Sequence, residues 1–138
     1  MPERRFTLEI VTPDRVVVSD DQVVSLVAPG SEGYLGVLAG HAPLMAELVI
    51  GEMTVRRLNG EELHIASAQG FMEVADNKVT ILTEAAEKAE EIDIQRARRA
   101  RERAEEMLRQ SAEDVDHMRA EVALKRAINR LHVAEHAM

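Results

Sequence analysis

All seven glycines and all four prolines of this 138-residue chain lie at or before Gly70, and the residues beyond it hold neither. Gly and Pro punctuate short strands and turns, whereas a long run without them, dense in Ala, Glu and Arg, sustains helix. The distribution predicts an α+β protein, mainly β, with a β domain over residues 1–86 and a helical domain over 87–138. A chain of this length has room for a compact domain of roughly 80–90 residues plus an appendage.

Formal net charge is −8 and unevenly spread, with 6 basic and 13 acidic residues from Met1 to Ala86 and 11 against 12 from Glu87 onward. The acidic first half argues against a nucleic-acid surface, because phosphate affinity needs clustered Lys and Arg. Cysteine is absent, which excludes disulfides and thiolate metal sites. The opening MPERRFTLEIV lacks the apolar run of a signal peptide, and no stretch approaches the ~20 apolar residues of a membrane span. The expectation is a soluble chain without direct membrane insertion, able to work at a membrane through a partner. With aromatic residues at 2% and no Trp, the core must come from Val, Ile, Leu, Met and Ala.

The first half reads as successive short strands. Phe6 to Val11 alternates apolar and polar before a Thr12-Pro13-Asp14 turn, and runs at Arg15–Ser19 and Gln22–Val27 follow, separated by Asp20-Asp21 and closed by Pro29-Gly30. Further strands are expected at Leu44–Ile50, Met53–Leu58, Leu63–Ala68, Phe71–Val74 and Val79–Leu82. Asn59-Gly60 and Asp76-Asn77 are hairpin turns, since such residues tolerate positive φ. Many short strands at this spacing suggest a β-sandwich or flattened barrel.

Helical composition runs from about Glu87 to Leu108 and again from about Ala112 to His132. Gln110-Ser111 falls between, and Ser111 with Asp114 has the spacing of an N-capping box. A helical hairpin or one interrupted helix is expected. The apolar stripes are narrow: Ile94, Ala97, Ala104 and Leu108 on the first helix, and Val115, Met118, Val122, Ala127, Leu131 and Ala134 on the second. Stripes this thin hold an arm only marginally, so its docking is expected to be reversible.

The segment richest in chemistry is Ile92-Asp93-Ile94-Gln95-Arg96-Ala97. At 100° per residue Asp93, Arg96 and Arg103 share about 80° of the first helix, and Arg126 and Arg130 stack one turn apart on the second. A folded hairpin could gather these arginines around an anion, for which the planar guanidinium fork is suited. On spacing alone, a solvated surface of Glu–Arg pairs is the stronger reading. The glycine-containing run Gly30–Leu44 lacks the Gly-Lys-Ser/Thr ending of a phosphate loop and reads either as a loop exposing Leu35, Leu38 and His41 to a partner or as a turn capping the sandwich. His132 and His136 have the spacing of a metal pair without a supporting Glu or Cys framework. No Ser/His/Asp constellation can be argued, and no catalytic centre is found.

Over essentially its full length the chain resembles the epsilon subunits of bacterial F-type ATP synthases. The likeness rests on Leu-Glu-Ile-Val-Thr-Pro-Asp near the N-terminus, Gly-Val-Leu-Ala-Gly-His-Ala-Pro-Leu from Gly36 to Leu44, and Gly70-Phe71-Met72-Glu73-Val74. It continues through Val79-Thr80-Ile81-Leu82, Ala123-Leu124-Lys125-Arg126-Ala127 and Asn129-Arg130-Leu131.

The resemblance implies an N-terminal ten-stranded β-sandwich followed by a C-terminal antiparallel two-helix hairpin. It implies a non-catalytic central-stalk subunit, peripheral on the cytoplasmic face of the bacterial cell membrane, that couples rotation to ATP synthesis. The sandwich would bind the gamma subunit and the c-subunit ring, with Glu32, Leu38 and His41 toward the ring. The helical domain would move between the hairpin and an extended form that reaches the alpha and beta subunits and inhibits ATP hydrolysis. The resemblance to bacillus-like members implies ATP as a regulatory ligand of the folded hairpin, with or without Mg2+. Asp93 with Ile92 and Ala97 would receive adenine, Glu87 the ribose, and Arg96, Arg103, Arg126 and Arg130 chiefly the phosphates. A purely structural subunit with negligible ATP sensing is the alternative.

Overall fold

A computed structural model describes residues 4–110 and 114–138. The expected cap at Ser111 and the side chains of Asp114 and Val115 lie outside the described residues. The chain divides into two compact units, Met1–Lys88 and Ala89–Met138.

The first unit is one continuous sheet of nine strands: β1 Phe6–Val11, β2 Val16–Gly30, β3 Gly33–Leu38, β4 Leu44–Leu48, β5 Gly51–Arg57, β6 Glu62–Ser67, β7 Gly70–Ala75, β8 Lys78–Thr83 and β9 Ala86–Lys88. Their order is β1-β8-β7-β4-β2-β5-β6-β9, with β3 added to β2 and a further β1–β2 pairing. The sheet closes into two layers because β2 belongs to both. Its first half pairs with β1 and its second half with β3 and β5. One layer is therefore β1, β8, β7 and β4, and the other is β3, β5, β6 and β9, with β2 crossing between them.

Nine strands stand where the resemblance implied ten, and the two runs read on either side of Asp20-Asp21 are one bent strand. The acidic pair is accommodated rather than chain-breaking. Arg57 Nε donates to Asp20 Oδ2 at 2.6 Å and the Gln22 N–H to Asp20 Oδ1 at 2.9 Å. The β1–β2 and β2–β5 registers shift nearby, which lets the strand bend.

Inward-facing residues fill the interior at period two. Phe6, Leu8 and Ile10 of β1 are buried, as are Met53 and Val55 of β5, Met72 and Val74 of β7, and Val79 and Ile81 of β8. Each large side chain shielded in this way contributes about 1.5–3 kcal/mol. Asp76 and Asn77, with φ of 51° and 60°, form the two-residue turn between β7 and β8. Gly70 sits so close to β8 that a Cβ there would lie 2.1 Å from the Leu82 carbonyl oxygen, so this position excludes any side chain.

The second unit holds α1 Ile94–Gln110 and α2 Asp114–Ala134, bounded by single 3-10 turns at Ala89–Glu91 and Glu135–Ala137. The helices pack along one another and the two bounding turns meet, so the hairpin is antiparallel. Its seam is alanine: Ala97 and Ala104 on α1, and Ala120, Ala127 and Ala134 on α2, all nearly or fully buried at seven-residue spacing. Such small residues let helix axes approach to about 8 Å, the near end of the usual range. The expected stripe on α2 is corrected here, since Met118 is 65% exposed while Ala120 carries the contact.

Candidate functional site

The local fold of α1 begins with Asp93. Its Oδ1 accepts the Arg96 N–H at 3.0 Å and its carbonyl accepts the Ala97 N–H at 3.0 Å, which makes it the N-cap. Ile92 before it is buried at 7% exposure and Ala97 is fully buried, so two of the three apolar members of the Ile92–Ala97 segment anchor the helix start while Arg96 is exposed. The carboxylate also places a negative charge at the helix N-terminus, where the backbone dipole favours it.

Helix geometry then fixes where the arginines go. Arg96 and Arg103 each immediately precede a buried seam alanine on α1, and Arg119 and Arg126 do the same on α2. In an antiparallel pair, positions 100° before the seam on both helices fall on the same flank. All four therefore line one side of the hairpin, and Arg130, one turn beyond Arg126, extends the row. Ala100, Met107 and Ala123 fall on that flank as well, as do Asp93 and Asp116, each three residues before an arginine of the row. The ion pairs Arg101–Glu105 at 3.4 Å and His117–Glu121 at 3.1 Å lie on the opposite flank. Arg109 pairs with Glu106 on the outer face and holds that carboxyl below its ordinary value, chiefly through the hydrogen bond.

Arg96 and Arg103 are exposed, and Arg126 and Arg130 are half-buried. Beside the row a groove of about 360 Å³ runs along α2, lined by Met118, Arg119, Val122, Ala123 and Arg126. An apolar floor between two guanidinium groups can take a flat, uncharged group next to an anion. Arg119 escaped the reading of the sequence. Its signal, a position just before a buried alanine and seven before Arg126, is visible only once Ala120 is placed in the seam.

Glu87 belongs to a strand. It lies half-buried in β9, opposite Ala66 of β6, within the first unit. His132 and His136 meet edge to face with ring centres 6.1 Å apart.

The three residues expected toward the ring do not come together. The run from Gly36 to Leu44 is not a single loop, because β3 takes Gly33–Leu38 and pairs with Ser25–Gly30 of β2, leaving only residues 39–43 as the connection. Glu32 sits in the turn that starts β3, while Leu38 and His41 lie at its far end, where the His41 N–H donates to the Leu38 carbonyl at 3.2 Å. Six strand residues separate the two ends by roughly 20 Å. Leu38 is 65% exposed, and the 39–43 connection is tied to the β7–β8 turn by the Gly40 N–H donating to Asn77 Oδ1 at 2.9 Å. His41 Nδ1 donates to the Ala42 carbonyl at 2.6 Å, an orientation set by the acceptor.

Comparison with known proteins agrees with this architecture. The pattern of the ATP synthase delta/epsilon chain beta-sandwich domain matches residues 5–89, and that of the delta/epsilon chain long alpha-helix domain matches residues 90–135. The ATP synthase epsilon chain of Nitratidesulfovibrio vulgaris strain Hildenborough is 50% identical over 135 residues, covering 98% of this chain and 99% of that one. The epsilon chain of Moorella thermoacetica is 49% identical over 129 residues, covering 94% and 96%. Among solved structures, a chain of the Euglena gracilis mitochondrial ATP synthase, seen in its OSCP/F1/c-ring assembly, superposes with a TM-score of 0.82 at 28% identity, covering 99% of this chain and 84% of that one. The chain belongs to the ATP synthase delta/epsilon family, among the epsilon chains, which are non-catalytic subunits of F-type enzymes.

Proposed function

We propose that this chain is a rotor subunit of the central stalk whose hairpin binds ATP and thereby restrains or releases ATP hydrolysis. The observation that carries the reading is the flank of five arginines, Arg96, Arg103, Arg119, Arg126 and Arg130, drawn from both helices. A polyphosphate can bridge guanidinium groups of both helices only while the hairpin is folded. Because a ligand shifts an equilibrium by its differential affinity, ATP, with or without Mg2+, favours the folded arm. In its absence the arm is free to extend toward the alpha and beta subunits. The sandwich supplies the fixed attachment to gamma and to the c ring, the latter through the Leu38–His41 end of β3. No helix among the described residues is long and apolar enough to cross a membrane. On this reading the subunit sits peripherally on the cytoplasmic face.

A second reading, a structural epsilon chain with negligible sensing, draws on Asp93, whose carboxylate is already engaged in capping α1. Titration calorimetry on the full chain separates the two. Arg126→Ala should weaken ATP binding by about 1.5–3 kcal/mol, the range for a charge-assisted hydrogen bond, while Arg98→Ala on the other flank should do much less. Asp93→Asn keeps a good cap but removes the charge, so a large loss of affinity with unchanged helicity would mark Asp93 as a ligand as well. Equal affinities for the two arginine variants would leave only the structural reading.

A further inference from the structure

The arm ends in two histidines four residues apart. His132 lies in the last turn of α2 and His136 in the 3-10 turn that follows, and both are exposed. Between them Val133 is fully buried and Ala134 nearly so, which fixes the backbone that carries the two rings. The rings stand edge to face, and a ring nitrogen of each lies within 4.8 Å of one on the other. Glu135 reaches back to the first ring, with its Oε2 4.0 Å from His132 Nδ1.

The chemistry of this donor set is narrow. Two imidazoles suit late first-row divalent ions, whereas Mg2+ and Ca2+ take oxygen ligands. With metal–nitrogen bonds of about 2.0–2.1 Å, an ion between the rings needs the two nitrogens roughly 3.3 Å apart, a spacing that rotation of two exposed side chains reaches. A carboxylate beside Nδ1 favours the tautomer protonated there and leaves the Nε2 lone pair for the ion, the usual outer support of a metal-bound histidine. The end of α2 is also the negative pole of that helix, where a cation is stabilised. The turn after it closes through the Met138 N–H donating to the Glu135 carbonyl at 3.2 Å and starts at Ala134, which has no polar side chain to cap it.

We infer that His132 and His136 form an exchangeable site for a divalent transition-metal ion of the zinc kind, with Glu135 as the positioning residue of His132. Two protein nitrogens leave the other coordination positions to water, so the ion comes and goes, unlike the ion of a closed four-ligand structural site. Helical winding brings the two rings to one side, so the ion binds the wound end of the arm and staples α2 to the turn that follows. The site uses none of the arginines and stands whether or not the arm takes ATP.

The test titrates the full chain with ZnCl2 and follows the histidine ring signals by NMR. Those of His132 and His136 should move together and saturate at one equivalent, those of His41 and His117 should stay, and MgCl2 should move neither pair. By calorimetry His132→Asn and His136→Asn should each weaken Zn2+ binding about tenfold or more, with His117→Asn unchanged. Should either variant lose helicity, the ring signals of the wild type decide alone. Glu135→Gln should weaken binding by a smaller factor and shift the His132 ring toward its other tautomer in the nitrogen spectrum; unchanged affinity and tautomer would overturn the part given to Glu135. Shifts of equal size at His41 and His117, or Zn2+ affinity retained with both rings replaced, would overturn the site.

Discussion

Leu8, Ile10, Leu26, Leu48, Met53, Ile65, Met72 and Ile81 are wholly shielded in the sandwich, whereas the shielded seam of the hairpin is made of Ala97, Ala104, Ala120, Ala127 and Ala134. A buried Leu or Ile carries three more carbons than Ala, each worth about 0.8 kcal/mol, so a seam position of the hairpin gains far less than a core position of the sandwich. The sandwich suits a fixed attachment, and the hairpin suits an element that folds and unfolds while the rest stays native. Small seam residues also bring the two arginine-bearing flanks close.

The largest effect that could break this contrast comes from the strong side. Ile81→Ala should cost about 2–5 kcal/mol of sandwich stability by denaturant titration, the range for a core truncation. A loss below 1 kcal/mol would mean the sandwich is no better packed than the arm. Next is Ala104→Leu, which crowds the seam and should cost about 1–3 kcal/mol. Residue-resolved hydrogen exchange should show protection lost across α1 and α2 with the strands unaffected. An equal loss in the strands would make the two units one cooperative body. The smallest effect sharpens the account of β2. Hydrogen bonding from Arg57 foremost, aided by the Gln22 N–H, holds the Asp20 carboxyl below its ordinary value. Its stabilising contribution is therefore complete above the unfolded value of about 3.9 and is lost as pH falls through the lower folded value. Asp20→Asn should remove part of the acid sensitivity of the melting temperature below about pH 5, and an unchanged acid profile would show that the clamp adds nothing.

Much of the sandwich was legible because its strands alternate cleanly. β1 is the expected Phe6–Val11, and β5 to β8 lie within two residues of their expected ends. Three elements were not legible, each for a local reason. β3 contains Gly33 and Gly36 and reads as a loop, yet its pairing with β2 supplies the order its composition withholds. β9 is Ala86-Glu87-Lys88, three residues with little strand preference that extend because β6 offers an open edge. Asp20-Asp21 looks like a break until Arg57, 37 residues later in the chain, is known to hold it. In the hairpin, helical spacing placed Arg96 with Arg103 and Arg126 with Arg130. The seam relating the two pairs was hidden because alanine barely registers in an apolar pattern, which is also why Arg119 was overlooked.

The crossing strand has a mechanical consequence. β2 is hydrogen-bonded to β1, β3, β4 and β5, so neither layer can be drawn off the other without tearing a ladder that runs through both. Bonds perpendicular to a strand resist sliding along it together and fail one at a time only when peeled from an end. A twisting load entering one layer therefore reaches the other through covalent backbone as well as through side-chain packing, and the sandwich transmits torque as a single stiff washer rather than as two plates free to slip.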